Sequence, residues 1–396
     1  MKTILLYLPG VGTAEQVMRG MAGQNTQNYQ NMLWALSREI GLADDLGFWG
    51  AAFTEHHFHI EGMEVSNNPI MLDLYFGMQT KNIRMGQLAN VIPLNNPIRV
   101  AEDMAMLDHM LRGRTFFGMA RGYQRRWADV IGQHYGVRGT ESDQSDNDTR
   151  NRELFYENYE VIKKAWTSST FSHQGKHWKI PTPDLKFPHE AVGLYGRGQT
   201  EDGYITEVGI APQPYQKPFP PIFQPFSFSP ETFTFAAREN LIPIALSTDD
   251  EILEDLFTVY RDETAKMGRD YKMGQNVGVM RHMLVSDDGA EARRYGAMGS
   301  GFIWPAWFAP AGFNNGFRKK GDTNPAPLTC DYNYMLESGF ELVGTPDEIN
   351  RRIEALTKKN ISPEYLVALQ YSGPVPNYVQ MKSLELWATQ VAPNWL

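Results

Sequence analysis

IRMGQLANVIPLNNPIRVAEDMAMLDHMLRGRTFFGMARG, residues Ile83 to Gly122, sets two short apolar runs on either side of one helix-like segment. The run from Ile83 to Ile92 is too short for a lone helix and suits a strand buried on both faces. Asn95-Asn96-Pro97 follows, the pairing expected of an N-cap and a first helical position. Ile98, Ala101, Met104, Ala105, Leu107, Asp108 and Leu111 then recur at roughly helical spacing, and Arg112-Gly113-Arg114 supplies a helix end. Thr115 to Ala120 is the second apolar run, closed by Arg121-Gly122. Strand, helix and strand in this order form a βαβ unit, which forces a parallel sheet.

The same alternation extends outward from this unit. Upstream, Lys2–Leu8 and Phe48–Thr54 read as strands, with helices over Tyr29–Leu46 and from Pro69 to about Thr80. Downstream, Pro221–Phe226, Leu241–Leu246, Val277–Val285 and Tyr365–Tyr371 read as further strands. Helices are expected over Arg152–Trp166, Ser229–Asn240 and Glu251–Met267, from Asp287, and over about Tyr378–Val391. Thr345-Pro346-Asp347-Glu348 is a capping box opening another helix. These elements fit a TIM (β/α)8 barrel as one domain over residues 1–396. Long insertions at its C-terminal face are expected near 137–151, 167–216 and 299–338. The first of these is Ser/Asp/Asn-rich and reads as a mobile loop. The second, swollen around Val192–Val208, reads as an excursion with short strands. The third is a lid candidate, because structureless loops of that length are rare without function.

Composition narrows the classes. The 396 residues carry 42% hydrophobic and 21% charged side chains, ordinary for a globular protein with a sizeable core. A net charge of −9 with no basic stripe argues against nucleic acid. The single cysteine, Cys330, excludes an intramolecular disulfide and fits a reducing cytoplasm. The amino-terminal apolar stretch, Ile4–Leu8, reads as a barrel strand rather than a signal peptide, and no run is long enough to span a bilayer. A soluble, cytoplasmic protein is expected.

The barrel places chemistry at the carboxyl ends of its strands. Thr54-Glu55-His56-His57-Phe58 closes the second strand. A histidine there can hold or move a proton near neutral pH. A packed or solvated loop histidine is the alternative. A metal reading would use His56, His57, His59 and Glu61, but no second His/Cys cluster completes such a site, and no metal is expected. Ser229-Pro230-Glu231-Thr232 opens a helix whose amino end suits a phosphate, although simple capping needs no ligand. Arg121 supplies a cation that could pair with the same phosphate or with a surface acid. Trp304, Trp307 and Phe308 are too many large aromatics for a solvated loop. They could close over an apolar substrate or bury a dimer contact. Tyr195 and Tyr204 in the second excursion are ambiguous in the same way.

Asn-Asn-Pro leading into Ala-Glu-Asp, Leu-Asp, Gly-Arg and Gly-x-x-Arg-Gly resembles the bacterial-luciferase-like family of flavin-dependent monooxygenases. Thr-Glu-His-His-Phe at the preceding strand end resembles it too, and the likeness runs from Lys2 to the carboxyl terminus. The resemblance implies reduced FMN from a separate flavin reductase, O2, and a C4a-(hydro)peroxyflavin that oxygenates a small apolar organic substrate. Hydroxylation and Baeyer–Villiger insertion both remain open. It implies an active-site role for His56 with Glu55 beside it, and flavin-phosphate contacts from Arg121, Ser229 and Thr232. Leu88-Ala89-Asn90 matches the place where family members often hold a non-proline cis peptide under the flavin. His57, Trp304, Trp307 and Phe308 are candidates to receive substrate. Ala120 departs from the cysteine common in the luciferases, which makes their aldehyde light reaction less expected here. The family commonly dimerises through helices beside the second and third strands, so a homodimer is expected. The competing readings are a deazaflavin-dependent oxidoreductase, a non-catalytic flavin-binding partner subunit, and a metal-dependent barrel hydrolase.

Overall fold

A computed structural model describes residues 1–396 apart from 141, 325, 327, 358–360 and 396. Its contacts gather into two units. One comprises Met1–Asn90, Phe116–Met119 and Pro221–Leu396; the other comprises Val91–Thr115 and Ala120–Pro220.

The first unit holds a closed barrel of eight parallel strands: β1 (Lys2–Tyr7), β2 (Gly50–Phe53), β3 (Arg84–Gln87), β4 (Thr115–Ala120), β5 (Ile222–Ser227), β6 (Ile242–Ala245), β7 (Gly278–Val285) and β8 (Tyr365–Gln370). They neighbour one another in chain order, and β8 closes on β1 from Lys2↔Tyr365 to Tyr7↔Gln370. A short extra strand, Glu341–Gly344, pairs with the end of β7. Unbroken burial along β2, β7 and β8 explains why their sequences show no polar alternation.

Aromatic rings plug the barrel at the starting ends of the strands. Trp49 precedes β2 and packs against Phe116, Phe223 and Tyr365 at centroid separations of 5.4, 5.9 and 5.3 Å. Edge-to-face pairs of this kind add about 0.5–1.5 kcal/mol each beyond area burial. The plug demands a glycine on β3. A Cβ on Gly86 would sit 2.4 Å from the Phe116 carbonyl oxygen and 2.5 Å from its ring.

Helix starts follow the capping residues. The helix α1 (Thr26–Asp45) begins earlier than its apolar periodicity suggests, because Asn25 accepts a hydrogen bond from the Asn28 N–H. The helix α2 (Pro69–Gly77) starts at the expected proline, behind Asn68. In the second unit, α3 (Pro97–Met110) is capped by Asn96. There α4 (Asp146–Thr167) begins inside the stretch expected as a mobile loop. Its Ser/Asp/Asn-rich sequence is N-cap chemistry: Ser145 accepts from the Asp148 N–H at 3.2 Å. Further along the first unit come α5 (Pro230–Glu239), α6 (Asp250–Lys266), α7 (Gly289–Ile303), α8 (Pro346–Thr357) and α9 (Asn377–Leu386). The capping box before α8 forms, with Thr345 N–H on Glu348 at 2.8 Å and Glu348 N–H on Thr345 at 3.3 Å.

Within the second unit, α3 packs on α4, and the Trp166 indole donates to the Ala101 carbonyl at 3.0 Å. The excursion after α4 is a small antiparallel pairing of His173–Gln174 with Lys179–Ile180, as its composition suggested, plus a helical turn at Glu190–Tyr195. The Glu157 carboxylate on α4 anchors that hairpin by accepting the His177 and Trp178 N–H groups.

Two expectations need correction. The third strand is interrupted instead of running unbroken to Ile92: β3 ends at Gln87, the Leu88–Ala89 peptide is cis, as the resemblance implied for this place, and a two-residue strand resumes at Asn90–Val91. The 299–338 segment is also far from structureless. It continues α7, passes through helical turns at Trp304–Phe308, Ala309–Ala311 and Phe313–Phe317, and ends in a helix over Tyr332–Glu337. Gly and Pro obscured its helical content because each turn is too short to show a period.

Candidate functional site

The end of β2 leads into a loop that the chain ties down at several points. The Glu55 N–H donates to the Ala89 carbonyl at 3.2 Å and the Leu88 N–H to the Phe53 carbonyl at 2.8 Å. These two bonds lock the ends of β2 and β3 together around the cis peptide. Farther along, the His56 N–H reaches the Ser66 carbonyl and the Val65 N–H reaches the Pro9 carbonyl. Phe58 and Glu64 both adopt positive φ, at 62° and 51°.

Side chains alternate along Thr54–His57. Glu55 and His57 face one another, with His57 Nε2 3.2 Å from Glu55 Oε1. His56 belongs to a different, buried network. Its Nδ1 lies 3.1 Å from Thr54 Oγ1 and 3.3 Å from Glu64 Oε1. Thr54 Oγ1 is in turn 3.2 Å from Ser66 Oγ. The His56 ring stacks on His59 at 5.4 Å with only 12° between planes. His59 Nδ1 donates to the Met63 carbonyl at 2.7 Å and sits 3.9 Å from Glu64 Oε2. Burial, then repulsion from His59 and His57, holds the His56 imidazole well below its usual pKa. The ring is therefore neutral at pH 7. The oxygens facing Nδ1 assign the proton to that nitrogen, so Nε2 carries the basic lone pair.

Asn90, at the far side of the cis peptide, is buried and positioned by a chain of amides. Its Nδ2 donates to Gln87 Oε1 at 2.8 Å, and Gln87 donates to the Asp73 carboxyl on α2. Burial pushes the Asp73 carboxyl well up, with the Gln87 bond only partly opposing it.

A further buried cluster sits at the ends of β7 and β8. His282 Nδ1 and Ser300 Oγ each lie 2.5 Å from a Glu341 oxygen, and the Tyr371 ring stands edge-on to His282 at 4.8 Å. Burial, with help from the Glu341 and Glu64 carboxylates, drives the Tyr371 phenol far above its normal range. Among the described residues, His282 Nε2 has no hydrogen-bond partner.

The remaining candidates divide by position. Trp307 comes within 6.3 Å of the His59 ring, next to the His56 network. Trp304 and Phe308 do not line a solvated loop. Trp304 is fully buried against Phe308, Phe317 and Phe340, and its indole donates to Asn314 at 2.7 Å. Ser229 caps α5, accepting from the Thr232 N–H at 3.4 Å and donating to Glu231 at 2.6 Å. Arg121, in the second unit, pairs with Asp148 and donates to Asn151 at 3.1 Å and Thr140 at 3.2 Å. Sequence reading missed Glu64, Ser66, His282, Glu341 and Tyr371. The one available signal was the density of acids and histidines in Glu55–Glu64, from which Glu61 rather than Glu64 stood out. Among the described residues, no group of three or more His, Cys, Asp or Glu is arranged to hold a metal, and no helix is long and apolar enough to cross a membrane.

The family model for luciferase-like monooxygenases matches residues 13–361. The chain belongs to the luciferase-like monooxygenase family. It is an enzyme of that family. This luciferase-like monooxygenase is 26% identical over 392 residues to 3,6-diketocamphane 1,6-monooxygenase of Pseudomonas putida, covering 93% of this chain and 94% of that one. Among solved structures, the oxygenating constituent of the P. putida 3,6-diketocamphane monooxygenase, a type II Baeyer–Villiger monooxygenase in complex with FMN, superposes with a TM-score of 0.75. That match has 22% identity and covers 100% of this chain and 99% of the other. The coenzyme F420-dependent tetrahydromethanopterin reductase of Methanopyrus kandleri reaches 0.64 at 16% identity, over 100% of this chain and 99% of that one. At these identities the superpositions establish a shared barrel.

Proposed function

We propose that this luciferase-like monooxygenase uses reduced FMN and O2 to insert oxygen into a small apolar organic substrate, with a Baeyer–Villiger reaction on a ketone favoured over hydroxylation. The observation that carries the reading is the buried His56 network beside the cis Leu88–Ala89 peptide. A neutral imidazole with a fixed tautomer offers one basic nitrogen to a reacting oxygen, which is general acid–base chemistry at working pH. The likeness to 3,6-diketocamphane 1,6-monooxygenase, at 26% identity, supports the substrate class.

The donor set fits FMN. Ser229 and Thr232 set two hydroxyls at the amino end of α5, where the helix dipole suits a phosphate. Leu88, Ala89 and Asn90 would lie against the flavin ring, with Asn90 fixed by Gln87 and Asp73. His282 Nε2, without a hydrogen-bond partner among the described residues, is a buried polar atom of the kind a bound molecule completes. Reduced FMN, brought by a separate reductase, would supply the two electrons that activate O2, one oxygen atom of O2 going to the substrate and the other to water. The protein positions substrate, excludes water and manages protons. His56 holds or returns a proton at Nε2, Glu55 keeps His57 in place, and Trp307 presents an aromatic wall to the substrate. Trp304 and Phe308 support that wall from the core.

The Met71, Tyr75 and Met78 side chains of α2 and the residue after it are exposed on successive turns and supply an apolar face for a homodimer. The need for reduced flavin supports a cytoplasmic location.

Anaerobic titration with reduced FMN tests this reading. Saturable binding is expected, followed on mixing with oxygenated buffer by delayed flavin reoxidation that His56→Ala accelerates. Binding without that delay would favour the non-catalytic partner subunit. Absence of FMN binding, with binding of a reduced deazaflavin, would replace the proposal by the deazaflavin oxidoreductase.

A further inference from the structure

Arg281 lies on β7, opposite Ala368 of β8, and is only 1% exposed. Its Nη1 donates to the Met280 carbonyl at 2.7 Å, while its Nε has no hydrogen-bond partner among the described residues. No carboxylate among the described residues forms an ion pair with it. Burial lowers its pKa to about 10, with the Asp250 charge opposing that, so the guanidinium stays protonated at neutral pH. A buried cation without an anion carries a large desolvation penalty, and that combination is a marker of a ligand site.

Arg281 is one of the residues that line a cavity of about 400 Å³. Its volume falls within the ~300–1,000 Å³ range of small-molecule sites. Val279, Leu342, Ile353 and Leu366 make its walls apolar, and Ser362 adds a hydroxyl. Glu364 also borders it, but that carboxylate is engaged by Lys2 Nζ at 2.6 Å and the Asn276 N–H at 2.8 Å. Val279 and Leu366 are second residues of β7 and β8. The cavity therefore sits at the starting ends of the strands, opposite to the ends that carry His56.

We infer that this cavity is a second ligand site, which takes a small aliphatic carboxylate with its head on Arg281 and its tail along the Val279, Leu342, Ile353 and Leu366 walls. Charge complementarity selects the head, since a carboxylate supplies the anion that Arg281 lacks and matches its planar fork. The apolar walls select the tail over a simple inorganic anion.

Isothermal titration of the full-length protein with octanoate, octanol and inorganic phosphate tests the site. Saturable octanoate binding is expected, with octanol and phosphate each about tenfold weaker or more. Arg281→Met should weaken octanoate by about tenfold or more while leaving the circular dichroism unchanged. Ile353→Trp fills the cavity without touching the charge and should block octanoate as well, which keeps the test decisive if the arginine variant does not fold. Absent octanoate binding would overturn the inference. So would octanol or phosphate binding as tightly as octanoate, or octanoate binding undiminished in Ile353→Trp.

Discussion

Glu64 holds His56: its Oε1 lies 3.3 Å from His56 Nδ1, with both side chains buried and the Glu64 backbone at φ 51°. The same carboxylate stands 3.9 Å from His59, so one acid orders two stacked imidazoles. Glu64→Gln keeps the shape and removes the charge that fixes the Nδ1 proton. Turnover should fall roughly tenfold to a hundredfold while reduced-FMN affinity stays near wild type, because outer partners act through the ring they orient. Steady-state kinetics with a separate flavin titration distinguish the two, and an equal loss in both would count against the positioning role.

Acid should destabilise the protein through His56. Its folded pKa is depressed well below 6.5, whereas the unfolded chain takes up the proton near that value. The stability it contributes is complete above pH 6.5 and is lost as pH falls below it toward the folded value. Thermal melts of wild type and His56→Gln between pH 5 and 8 should show a shallower acid slope in the variant.

Glu39 predicts the opposite slope. This fully buried carboxyl on α1 accepts from Asn377 at 2.7 Å and from Ser372 at 3.4 Å, yet burial dominates and raises its pKa from 4.5 to about 7. Its contribution is complete below pH 4.5 and is lost as pH rises through about 7, amounting to at most about 3 kcal/mol. Glu39→Gln should therefore be more stable than wild type at pH 8. Denaturant midpoints that coincide for the two proteins at pH 8 would contradict this.

Trp304 and Trp307 are neighbours in sequence with different tasks. Trp304→Ala empties a site inside the Phe308, Phe317 and Phe340 cluster and should cost about 3–5 kcal/mol. Trp307→Ala should leave the melting temperature nearly unchanged and raise the KM for the organic substrate. Calorimetry and kinetics on both variants check the split.

Much of the architecture was legible from the amino-acid sequence. Strands buried on both faces announce themselves as continuous apolar runs, and Pro97, Pro346, Asn96 and Thr345 mark helix starts through local backbone chemistry. The position of His56 at the end of β2 was equally readable, since period and chain order place it there. Local signals failed where short elements carry no period, as between Trp304 and Phe317, and where capping residues look like loop, as at Ser145.

Sequence by itself determined that a barrel forms and that His56 follows its second strand, because periodicity, capping and βαβ order act over a few residues. Only the tertiary structure decided that Glu64 rather than Glu61 meets His56, that Glu341 from a distant strand meets His282, and that Arg281 borders a cavity. Those pairings join residues through loops with positive φ or across strand neighbours far apart in the chain. Burial then sets their pKa values, and burial belongs to the packed fold rather than to any segment of it.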